Sequence, residues 1–74
     1  MDVGMLWLDD DRNRTLDEKV SRAVEYYREK YGRMPNICLV NIGMLSAEMQ
    51  VGKVIVQPIA TVLPHHFWVG TKAA

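Results

Sequence analysis

The stretch "TLDEKVSRAVEYYREKYG", residues 15–32, carries the only long helical pattern in the chain and decides how the rest is read. Thr15 and Glu18 have the spacing of a capping box, in which each side chain satisfies a free N–H of the first turn, so the helix is expected to start at Leu16. Leu16, Val20, Ala23, Val24, Tyr27 and Tyr31 recur at helical spacing and define one apolar face. Acids occupy the first turn and bases the last, as the helix dipole favours. Gly32 supplies a left-handed terminal residue and Pro35 prevents continuation.

On either side the period changes. "VGMLWL" (Val3 to Leu8) is apolar on both alternations, with Val3, Met5 and Trp7 on one face and Leu6 and Leu8 on the other, the pattern of a strand covered on both sides. "NICLVN" (Asn36 to Asn41) reads the same way. "KVIVQP" (Lys53 to Pro58) and "HHFWVG" (His65 to Gly70) are expected to be two further strands, antiparallel and joined by a wide hairpin. Residues 42–52 fit either a loop or a single helical turn. The expectation is one α+β domain over residues 1–74, in the order β-α-β-β-β, with one helix packed on a four-stranded mixed sheet. A strand, a helix and a strand in succession make a parallel crossover the default.

That architecture leaves a surplus. One helix covers one sheet face, yet the first two strands are apolar on both. Two covers for the second face are expected: the segment carrying Met44, Leu45 and Met49, or a second copy of the chain. With 74 residues, 49% of them hydrophobic, the chain has more apolar material than one thin core needs.

Charge excludes several function classes. The formal net charge is zero, which argues against a general nucleic-acid binder. It is unevenly spread: residues 1–18 hold six acids against two bases, and residues 19–37 hold five bases against two acids. Cys38 is the single cysteine, so neither a disulfide framework nor a multi-cysteine zinc site is open to the chain; inside an apolar strand it reads as core. No apolar run approaches the roughly 20 residues that span a bilayer. A cytoplasmic protein with no membrane partner is expected.

The candidate site lies where "LWLDDDR" stops being apolar. Asp9, Asp10 and Asp11 at the carboxyl end of a strand are where open α/β sheets place ligands, and a divalent cation is the cofactor such a cluster would take. Over residues 5–11 the stretch resembles the first strand of response-regulator receiver domains, which ends in paired acids that bind magnesium. A receiver also needs a phosphoacceptor aspartate ending a later strand; "CLVNIG" has none, and 74 residues are too few for five βα units, so the family is not adopted. His65 and His66 point to opposite faces of a strand, so only one, His66, is a candidate co-ligand.

The leading expectation is a small interaction or structural module acting as a homodimer rather than an enzyme. The second is a metal-dependent phosphoryl-transfer or hydrolytic enzyme using Asp9, Asp10 or Asp11 with His66. The third is a weak nucleic-acid binder through Arg22, Arg28, Lys30 and Arg33, which four bases interleaved with Glu25 and Glu29 make the least favoured.

Overall fold

The structure, a computed structural model, describes residues 3–72. Helix α1 spans Leu16–Tyr31. Its capping box is formed: the Glu18 N–H donates to Thr15 Oγ1 at 3.2 Å, and the Thr15 N–H donates to Glu18 Oε1 at 3.2 Å. Gly32, with φ 72°, ends it by donating its N–H to the Arg28 carbonyl at 2.8 Å. Val20, Ala23, Val24 and Tyr27 are buried, and Leu16 is half-buried at the margin. Tyr31, at the far end of the stripe, is 38% exposed and rests its ring on Tyr27 at 4.7 Å.

Five strands form one sheet: β1 Val3–Leu8, β2 Ile37–Asn41, β3 Met49–Val51, β4 Val54–Ile59 and β5 His66–Thr71, in the spatial order β1-β5-β2-β4-β3. β5 is antiparallel to both β1 and β2, so those two run parallel, as a strand–helix–strand unit requires, with β5 between them. β2 pairs parallel with β4, and β3 pairs antiparallel with β4.

The class is the expected α+β, but the sheet has five strands where four were expected. The extra strand, β3, comes from residues 42–52. After β2 the chain turns on Asn41, which accepts the Gly43 N–H on its side chain at 2.8 Å and the Met44 N–H on its carbonyl at 2.9 Å. It then forms a tight hairpin in which Val51 opposes Val54 across Gly52 and Lys53. Gly52 has φ 58°, the positive value that a type II′ turn needs at its first central position. A second correction concerns the last two strands. They run in opposite directions but do not pair, because β2 lies between β4 and β5. β5 is apolar on both alternations and takes the interior place, which gives β1 a bonded neighbour.

The core lies between α1 and one face of the sheet, where Val20, Ala23, Val24 and Tyr27 meet Cys38, Val40, Val54, Val56, Phe67 and Val69. The Tyr27 hydroxyl finds Thr71 Oγ1 at 2.8 Å. Met44, Leu45 and Met49 pack against this same core. They therefore do not cover the other face, as one of the two sequence expectations had it.

Phe67 is fully buried at the centre. Phe67→Ala should cost about 3–5 kcal/mol in equilibrium denaturation. Burial pushes the Cys38 thiol from 9.0 up to about 12. The folded chain keeps that proton where the unfolded chain has lost it, so stability is whole below pH 9 and falls as pH rises toward 12. Urea titrations across that range should show a slope approaching about 1.4 kcal/mol per pH unit, and the native thiol should not react with an aromatic disulfide reagent at pH 8.

Candidate functional site

Alternation along each strand sorts side chains between the helix face and an open face. In register, Leu6, Trp68, Leu39 and Gln57 form one row across β1, β5, β2 and β4. Gly4, Gly70, Ile37 and Ile55 form the next. The first row is the site's spine. Leu6 and Leu8 are 62% and 58% exposed, while Trp68 and Leu39 are half-buried.

The indole of Trp68 lies against Gly4, so close that a Cβ there would overlap the ring. This is a close approach that only glycine permits. Trp68 and Leu39 then stand between two depressions. The larger, about 390 Å³, is walled by Leu6, Leu39, Trp68 and His66 together with the 61–63 loop, whose Leu63 is 66% exposed. The smaller, about 250 Å³, adds Ile37, Gln57, Ile59 and, at its border, Lys72. No acid lines either one.

The aspartates lie at the end of β1, and each is placed differently. Asp9 is only 7% exposed. Its N–H donates to the His65 carbonyl at 3.0 Å, extending the β1–β5 ladder by one bond. Its Oδ1 accepts the Asp11 N–H at 3.1 Å and faces Arg14 Nη1 at 3.5 Å. Asp11 accepts the Asn13 N–H at 2.8 Å on Oδ1 and pairs with Arg14 Nη1 at 2.9 Å through Oδ2. Asp10 is exposed. Arg14 thus supplies the cation that lets two adjacent carboxylates sit together. Asp9 Oδ2 and Trp7 Nε1 are buried without a hydrogen-bond partner among the described residues.

His66 is next to this loop along the ladder but opposes Leu8, so it belongs to the open face, and its Nδ1 lies 2.9 Å from the Pro64 carbonyl. His65 enters β5 with φ 65°, a left-handed conformation unusual for its type. Among the described residues, no group of three or more histidine, cysteine, aspartate or glutamate side chains is placed to hold one ion. On the helix, Tyr26 is half-exposed, and its ring packs against Trp7 at 4.3 Å with the planes tilted by 36°. Arg22 shares its stretch of helix surface with Glu25 and Glu29.

The residues that sequence reasoning did not single out are Trp68, Leu39, Ile59 and Leu63. Their signal was present in the apolar alternation, but only the register brings them into one surface.

Arg14→Ala should destabilise the fold by about 1–3 kcal/mol, because it leaves the Asp9 carboxylate buried without its cation. Three of the four carboxylate oxygens of Asp9 and Asp11 are already engaged within the loop. Magnesium, manganese, calcium and zinc should therefore leave Tm unchanged; a rise that disappears in Asp10→Asn would place a cation there. Compared with protein-family models, curated proteins and solved structures, the chain matches none.

Proposed function

We propose that the protein is an interaction module that works as a homodimer through its open sheet face. The observation that supports this reading is the exposed apolar row of Leu6, Trp68 and Leu39 with Leu8 and Leu63 beside it. Burying a leucine or similar side chain contributes about 1.5–3 kcal/mol, so a chain that leaves several on one face gains by covering them.

A second copy suits this face better than a charged partner. The row of Leu6, Trp68 and Leu39 offers no acid to pair with, and the charges of this face, Glu48, Lys53 and Lys72, gather toward Ile55; interfaces are depleted of charge in the core and polar at the rim. Lys72 and the Glu48–Gln57 pair, bonded at 2.9 Å, stand at that rim. The area is also appropriate. Five strands at the usual spacings present roughly 400 Å² in projection, and the exposed 61–63 loop extends it toward the roughly 800 Å² per partner of a standard interface. Sheets of this kind stack face to face at about 10 Å with their side chains interleaved.

Sedimentation equilibrium at tens of micromolar should give at least a dimer mass, and a larger one than for the Leu39→Asp variant. Leu39→Asp, which places a charge in the middle of the row, should abolish this face-to-face association while leaving the helix-side core intact. A monomer for the parent chain at that concentration would overturn the reading.

A further inference from the structure

The two edges of the sheet are not equivalent. At one, β3 is only three residues long, and β4 outruns it. Ile55 directs its N–H toward β2, donating to the Asn36 carbonyl at 3.1 Å, so Pro58 belongs to the alternate set that faces the β3 side. Proline has no N–H to offer there. That edge is closed to further pairing by a short strand and a missing donor.

The β1 edge has no such device. Val3–Leu8 contains no charge and no proline. The Asp9 N–H bond to the His65 carbonyl lies in register with the β1–β5 ladder, and bonded pairs alternate along an antiparallel ladder. Trp7–Phe67 and Met5–Val69 are therefore bonded pairs, and the N–H and C=O groups of Gly4, Leu6 and Leu8 point away from the sheet.

We propose that β1 pairs edge to edge with β1 of a second copy, antiparallel and centred on Leu6, so that two five-stranded sheets become one. This pairing rests on the edge and not on the face-to-face reading, and the two are separable. Centring on Leu6 sets Leu6 against Leu6 of the second copy and Leu8 beside its Gly4. Each of these pairs exchanges two backbone bonds. The antiparallel sense follows from charge: it places the two Asp9–Asp11 loops at opposite ends of the paired strands, whereas parallel pairing would set them side by side.

The test uses Leu39→Asp as background, which removes face-to-face association and leaves β1 untouched. In that background, amide exchange at Gly4, Leu6 and Leu8 should slow at least tenfold between low and high micromolar protein, and the mass should be that of a dimer. Adding Leu6→Pro should return the mass to monomer, since it removes an outward N–H and no internal bond. Leu6→Ala, which trims the side chain and keeps the N–H, should remain dimeric. Should Leu6→Pro fail to fold, Leu6→Cys decides: opposed Cα atoms about 5.5 Å apart fall within disulfide range, and oxidation should yield a covalent dimer while buried Cys38 stays reduced. Exchange rates independent of concentration, an unchanged mass in folded Leu6→Pro, or no covalent dimer from Leu6→Cys would overturn the proposal.

Discussion

One helix has to serve a five-stranded sheet. Everything else in the molecule is arranged around that shortage. α1 commits its single apolar stripe to one face, and the core that results takes in Phe67, Val69, Cys38, Val40, Val54 and Val56, all from alternate positions of the three interior strands. The methionines and leucine that follow β2 add to the same side. The opposite side is left with residues of the same apolar character and only partial cover: Ile37 is buried and Trp68 and Leu39 half-buried, while Leu6, Leu8 and Leu63 stay exposed. A small domain gains proportionately less from burial than a large one, so leaving Leu6, Leu8 and Leu63 in water is a cost of this arrangement.

The aspartate loop serves this arrangement locally. Its work is to stop β1 and turn the chain toward α1 within a few residues. Asp9 closes the ladder with its backbone and the loop with its side chain, Asp11 orders the following turn, and Arg14 neutralises both immediately before the Thr15 cap. The acids that looked most like chemistry in the sequence are thereby tied to helix initiation.

How much of this was legible depended on whether the signal was local. The capping box, the helix face and the Gly32 terminus were readable because all of their partners lie within one or two turns. The bounds of β1 matched, and those of β2 differed by one residue at Asn36, whose backbone still bonds Gly70 and Ile55 on either side. β3 escaped notice because three residues show no period; only the "VGKV" turn announced it. The position of β5 was not readable at all. Its neighbours are fixed by competition among strands far apart in sequence, and the composition of "HFWVGT" is as suitable for a hairpin with β4 as for the centre of the sheet. The open face was anticipated as a surplus and Leu6 and Leu8 were paired on it by alternation, but Trp68, Leu39 and Leu63 could not be joined to them before the register was known.

The closed edge at β3 and Pro58 determines what kind of object such a sheet can build. A sheet with two receptive edges adds copies at both ends and grows into a filament. Here the β3 edge is closed, so pairing through β1 about a two-fold axis would use the receptive edge of both copies, and growth along the strand-pairing direction would stop at two. A three-residue strand and one proline thus limit what the sheet can add by strand pairing, whatever its open face binds.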